Sequence, residues 1–283
     1  NTAETLRILA SLYEMDYRYD LAETTYKRVW ECIVKSMGSD HPAVALCMES
    51  LGNLYCQQGR YVASQALYER ALELLDKVLG AEHPQKIPAL LGIAQVHLYQ
   101  SVLSQADQNA NLAKKLAETH YGIESIEFSE ALHVLGDIAR LGGRYSEARN
   151  SYQESMRLRH KLLGQNHQKV GQSLLSIGHL SQDLGQLEVC ERFLTKAIQI
   201  FESQLGPNHP YVADALQALG ILYRATGKGA NSELFLKRSM EIRTKTLGNE
   251  HPDIANSLFY LGQLYLDLRN DNAAEALLVR GLE

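Results

Sequence analysis

The chain of 283 residues has no N-x-[ST] sequon, no CxxC pair, no initiator Met, and no run approaching the roughly 18 uninterrupted apolar residues of a membrane span. Membrane insertion is therefore excluded from the reading. No secretory signal opens it, and three of its four cysteines (Cys32, Cys47, Cys56 and Cys190) lie in apolar helical patterns where any small hydrophobe would serve. That usage predicts a reduced intracellular compartment, the cytoplasm. Basic residues are outnumbered, 28 against 33 acidic ones, giving a net charge of −5 and a pI near 6.1. They form no block, so the electrostatic footprint of a nucleic-acid binder is missing. Proline is scarce too, six in all, and four of the six follow a histidine.

What is abundant is order. Glycine occupies positions 38, 80, 122, 164, 206 and 248, an unbroken spacing of 42 residues. A helical unit that returns on a fixed period cannot bury its apolar face alone and must stack on its neighbours. In the stretch from Ala43 to Gly80, Met48, Leu51, Gly52, Leu54 and Tyr55 fall on one side of a first helix, A. Steps of 42 from Leu51 give Leu9, Ile93, Leu135, Ile177, Leu219 and Leu261; from Gly52 they give Ala10, Ala94, Gly136, Gly178, Gly220 and Gly262. Glycine costs roughly 1 kcal/mol relative to alanine inside a helix, so its repeated use implies a crossing backbone too close for a larger side chain. Helix B follows a turn marked by Gly59, Gly143, Gly185 and Gly227, carries Tyr68, Ala71, Leu72 and Leu75, and ends at the register glycine, expected in the left-handed conformation. A histidine-proline link (His41-Pro42, His83-Pro84, His209-Pro210, His251-Pro252) then starts the next unit; it becomes His167-Gln168 in one place and Ser125-Ile126 in another.

This unit resembles the tetratricopeptide repeat, in the 42-residue variety of kinesin light chains and the nephrocystin family. The resemblance covers the whole chain. It rests on Gly52 and Tyr55 of helix A, the small residue opening helix B (Ala22, Ala106, Ala148, Ala274), the Tyr68-x-x-Ala71 pair and the Leu-Gly-x-x-His-Pro link. It implies an all-α fold, a right-handed superhelical solenoid of about seven antiparallel helix pairs. One domain over 1–283 is expected, with units near 1–38, 39–80, 81–122, 123–164, 165–206, 207–248 and an incomplete 249–283. Because the chain opens at Asn1 inside a helix pattern and stops at Glu283 short of a full unit, it reads as a fragment of a larger protein. The third unit departs from the pattern. Pro88 follows Pro84 by four residues, so helix A there starts about a turn late or bends, and an irregular junction is expected near 84–128, as a hinge or a degenerate repeat.

No chemistry stands out. The linker histidines recur two helices apart, roughly 15 to 20 Å at normal helix spacing, too far to share a metal. Their expected role is to end one helix and begin the next. His133 with Asp137 and His179 with Asp183 share helical faces at i, i+4, but neither has a nearby nucleophile in sequence. Gly227-Lys228-Gly229 fails the phosphate-loop frame and sits at an ordinary turn. No enzyme and no cofactor is expected.

What does not repeat is the other face of helix A. Tetratricopeptide domains line a concave channel with it, so the resemblance implies a peptide groove. In this chain that face carries Glu49 and Asn53, then Glu130, His133, Asp137 and Arg140. Further along come Gln172, His179, Gln182 and Asp183, then Asp214, Gln217 and Arg224, and last Asn256 and Gln263. It leans acidic and lacks the asparagine pattern with which kinesin light chains receive acidic cargo, so the expected partner is a neutral or basic protein or peptide. The expected function is a non-enzymatic scaffold within an intracellular adaptor of kinesin-light-chain-like, ciliary or cytoskeletal kind. The alternative is the sensor repeat of a STAND-type signalling ATPase whose catalytic part lies outside this chain. Apolar surface at the solenoid ends adds the possibility of self-association.

Overall fold

The computed structural model describes residues 2–249 and 251–282; Asn1 and Glu283, on which the reading of a fragment rests, lie outside the described residues. Among the described residues there are fourteen α-helices and no strand. The A helices are α1 (Thr2–Met15), α3 (Pro42–Gln57), α5 (Ile87–Tyr99), α7 (Ile126–Leu141), α9 (Gln168–Asp183), α11 (Pro210–Ala225) and α13 (Pro252–Asp267). The B helices are α2 (Tyr19–Met37), α4 (Tyr61–Leu79), α6 (Leu103–Tyr121), α8 (Tyr145–Leu163), α10 (Leu187–Leu205), α12 (Gly229–Leu247) and α14 (Asp271–Arg280). The fold is an all-α solenoid of seven helix pairs. Two compact units divide it, residues 1–151 and 152–283.

The expected crossing of A on B is present. A Cβ placed on Gly52 would stand 3.0 Å from the ring of Tyr68, and on Gly178 or Gly220 it would stand 2.7 Å from Leu194 or Leu236. The ring of Tyr68 is fully buried and also presses on Gly92 of α5, so α3, α4 and α5 lock around one side chain. Each unit's core follows from such contacts. In the first, Tyr68, Ala71 and Leu75 meet Ala89, Ile93 and Val96; in the second, Leu194, Ala197 and Phe201 meet Val212, Leu216 and Leu219.

The register glycines correct one expectation. Gly80 has φ 92° and ψ 163°, and Gly206 has φ 89° and ψ 161°. This is positive-φ extended backbone, not the left-handed helical region, and it is open to essentially no residue but glycine. The turn between A and B is more permissive. Its positive-φ residue is Gly59, Gly143, Gly185 and Gly227 in four pairs but Tyr17, Ser101 and Arg269 in the other three, with φ near 60°.

The linker histidines do more than separate helices. In all five, Nδ1 accepts a backbone N–H of the following first turn, at 3.1 to 3.3 Å, and Ser125 Oγ replaces them by accepting from Phe128 N at 3.2 Å. Each is an N-cap in the sense that Ser or Asp usually serves. Burial holds the His209 ring below the usual histidine range, which keeps the accepting lone pair free. In the third pair, Pro84–Lys86 form a short 3-10 turn and α5 begins only at Ile87, so the late start is the outcome of Pro88. The buried Lys86 ammonium closes this entry by donating to the Asp76 carboxylate and, at 3.0 Å, to the Ala81 carbonyl.

From α3 onward, successive A helices within a unit touch, α3 with α5 and α5 with α7, α9 with α11 and α11 with α13, whereas α1 and α3 have no comparable backbone contact among the described residues. Among the described residues, α2 and α4, α4 and α6, α10 and α12, and α12 and α14 have no comparable contact. The A helices therefore line the inner side of each unit's curve and the B helices splay outside. The two glycine sites should respond differently to substitution. Gly206→Ala is expected to cost about 1–3 kcal/mol and Gly185→Ala clearly less, read as urea-midpoint shifts; equal losses would contradict the torsional distinction.

Candidate functional site

The inner face of the first unit is less open than the residue types suggest. Glu49 on α3 is only 5% exposed, and its Oε1 has no hydrogen-bond partner. Burial pushes its carboxyl up to about 8, so near neutrality it is a protonated acid and not a negative charge offered to a ligand. Asn53 is exposed, but its Oδ1 accepts the Tyr68 hydroxyl at 2.6 Å. On α1 and α3, Glu14 accepts from the Tyr26 hydroxyl and from Gln57, both at 2.9 Å, and burial raises its carboxyl as well. On α7, His133 Nε2 lies 3.9 Å from Asp137 Oδ2, both side chains largely covered. That separation is an ion-pair distance and too long for a hydrogen bond. Glu130 and Arg140 on the same helix are half-buried.

In the second unit the face is organised by a residue that the sequence reading missed. Arg243, on α12, is 4% exposed and spans three helices. Its guanidinium donates to Asp214 Oδ1 at 2.6 Å and to Gln217 Oε1 on α11, and to Ser257 Oγ on α13 at 2.8 Å. Arg159 of α8 stands 84 residues earlier, two periods, and donates to Ser173 Oγ at 2.9 Å and to the Lys169 carbonyl of α9 at 3.1 Å. The signal was available: two arginines at a B-helix position that holds Ile33, Leu75, Ala117 and Phe201 elsewhere. Asp214 and Gln217 are thus internal ligands of a buried cation. Arg224 is likewise engaged, with Asp267 at 3.4 Å.

Four uncharged amides on this unit's face are left without a partner. Among the described residues Gln172 and Gln182 on α9, and Asn256 and Gln263 on α13, have no side-chain hydrogen bond, and each amide offers both donors and an acceptor. Phe259 on α13 is 46% exposed beside them. His179 and Asp183 lie on α9, half-buried and exposed respectively. Among the described residues no group of three or more His, Cys, Asp or Glu side chains could hold a metal ion. No described helix is long and apolar enough to cross a membrane.

Stacked helix pairs with an A-helix face carrying the non-repeating polar residues define a helical-repeat interaction scaffold. Family models described as tetratricopeptide repeat match residues 1–77, 48–119, 169–238 and 226–283, and another matches 129–169. The chain belongs to the tetratricopeptide repeat family. No curated protein matches it. Solved structures that resemble its fold include three that represent different settings for such repeats. The Rap conjugation gene regulator of plasmid pLS20, in complex with a Phr peptide, is 16% identical with a TM-score of 0.78, over 99% of this chain and 73% of that one. A kinesin light chain protein of Podospora anserina with nearly identical repeats is 20% identical with a TM-score of 0.52, over 73% of this chain and 98% of that one. The signal transduction ATPase with numerous domains and a tetratricopeptide repeat sensor from Pyrococcus horikoshii is 15% identical with a TM-score of 0.57, over 99% of this chain but 42% of that one.

Two measurements probe these polar groups. Asp214→Ala leaves the Arg243 charge buried beside neutral partners and should cost about 3 kcal/mol. Arg243→Met should cost much less, because Asp214 is 37% exposed and can hydrate. The reverse order in denaturant unfolding would refute the network's assignment. For Glu49 the folded carboxyl titrates higher than the unfolded one, so its contribution is fully present below about pH 4.5 and lost as pH rises through about 8. Glu49→Gln should therefore match the parent in stability near pH 4.5 and exceed it progressively up to pH 8; a constant offset would contradict the buried acid.

Proposed function

We propose that the chain is a non-enzymatic scaffold that captures an extended or helical peptide of a partner protein along the inner A-helix face, as the recognition part of an intracellular adaptor. One observation carries the reading: the open amides of Gln172, Gln182, Asn256 and Gln263 along one unit's face. An amide can donate to a carbonyl and accept from an N–H at once, which suits a peptide backbone better than a charged group would. With Glu49 protonated and Asp214 and Asp267 paired, the face presents less negative charge than its composition. A neutral peptide fits it, and a basic one is favoured by the acidic lean of the A-helix residues. We further propose that His179 and Arg224 flank the peptide on the second unit's face, as His133 and Arg140 would on the first unit's own face. The fold likeness to a regulator solved with a bound peptide supports the mode of binding.

The likeness to the Pyrococcus horikoshii protein favours a second reading, in which these repeats are the sensor of a signalling ATPase whose catalytic part is elsewhere. The inner-face site would be the same. Short random peptides displayed on phage and selected against the chain test both. Peptides so obtained should bind Gln172→Ala/Gln182→Ala/Gln263→Ala about tenfold more weakly, roughly 1.4 kcal/mol. Unchanged affinity would remove the amide face as the site, and acidic sequences among the peptides that this variant weakens would overturn the charge assignment.

A further inference from the structure

The splay of the B helices that turns the A helices inward also opens clefts on the outer side, and one of them is chemically unlike the rest of the chain. It lies in the second unit between α8 and α10, with a volume of 480 Å³. Four basic residues edge it: Arg157 and His160 on α8, Arg192 and Lys196 on α10. The spacings 157 to 160 and 192 to 196 put each pair on one face of its helix, so two rows of positive or protonatable groups run along the cleft. Its floor is apolar. Val170 and Leu174 of α9 are visible between the B helices, with the half-buried Met156 and Phe193 as walls.

Arg157 is held by Glu154, at 2.7 and 2.9 Å, in a half-exposed pair. The others are uncommitted: among the described residues His160, Arg192 and Lys196 have no ion-pair or side-chain hydrogen-bond partner. In a chain of net charge −5, unpaired cations gathered around an apolar trough stand out against the general acidity. Exposed ion pairs contribute little to stability, so nothing in the fold requires this arrangement. It is complementary to a ligand with a large apolar centre and carboxylates on either side. We propose that this outer cleft is a second recognition site, distinct from the inner face, for an acidic peptide segment that inserts one or two large apolar side chains between α8 and α10. Carboxylates of the peptide then meet Arg192 and Lys196 on one rim and His160 and Arg157 on the other. A trough of several hundred Å³ is the size that takes such side chains. The inner and outer sites would read peptides of different charge, so one copy of the chain could bridge two partners.

The test uses the whole chain and a fluorescein-labelled peptide, Glu-Glu-Leu-Trp-Asp-Glu, followed by fluorescence anisotropy. A control peptide replaces Leu and Trp by Ser. Binding is expected to weaken at least about tenfold in Arg192→Glu/Lys196→Glu, to weaken for the serine control, and to fall with added salt. It is expected to be unchanged in Gln172→Ala/Gln182→Ala/Gln263→Ala, which separates this site from the inner face. The charge-reversed residues are exposed, and an unaltered melting curve confirms that the variant folds. Equal binding by the reversed variant, or by the serine peptide, overturns the proposal. So does preferential binding of phosphatidylserine vesicles over the peptide, which would make the cleft a membrane-surface contact.

Discussion

The architecture depends on a backbone torsion. Where helix B ends, the chain must turn with φ near 90° and ψ near 160°, as at Gly80 and Gly206, and a side chain there would strain it. Because that torsion sets the exit direction of the chain, it sets where the next A helix lands and which faces meet. The histidine that follows then satisfies the first turn of that helix. Its ring can be replaced, as Ser125 shows, since any short acceptor serves. Glycine cannot be replaced in the same way, which is why its register is unbroken while the link decays.

Packing follows from that geometry. The small residue of helix A lets a large residue of helix B cross almost against the backbone, and Tyr68 does this twice, against Gly52 and Gly92. The tyrosines of helix A are tied in by their hydroxyls: Tyr55, Tyr223 and Tyr265 donate to Glu23, Glu191 and Glu233 of the preceding B helix. Arg60 and Lys228 lie over the rings of Tyr55 and Tyr223. Apolar crossing and polar lacing together bind neighbouring pairs at these three junctions.

The helix order, the crossing points and the late start of α5 were legible because each is a local consequence of residue size or of proline. The inner face was legible only as a set of positions. Glu49 counted as a charge until its burial was known, since no local pattern shows which exposed-type residue a neighbouring unit will cover. Asp214 and Gln217 counted as ligand contacts because Arg243, which holds them, lies 29 and 26 residues away and on the other helix of the pair. The torsion of the register glycines was also beyond reading, as sequence shows that glycine is required and not which of its conformations is used.

The buried acid on α3 also reaches beyond the fold itself. A carboxyl whose half-titration point burial pushes up to about 8 makes the folded chain, at neutral pH, nearly one charge less negative than its residue count. Each molecule that unfolds there releases that proton to the solvent. The heat of unfolding consequently includes the ionisation heat of whatever buffer takes it up.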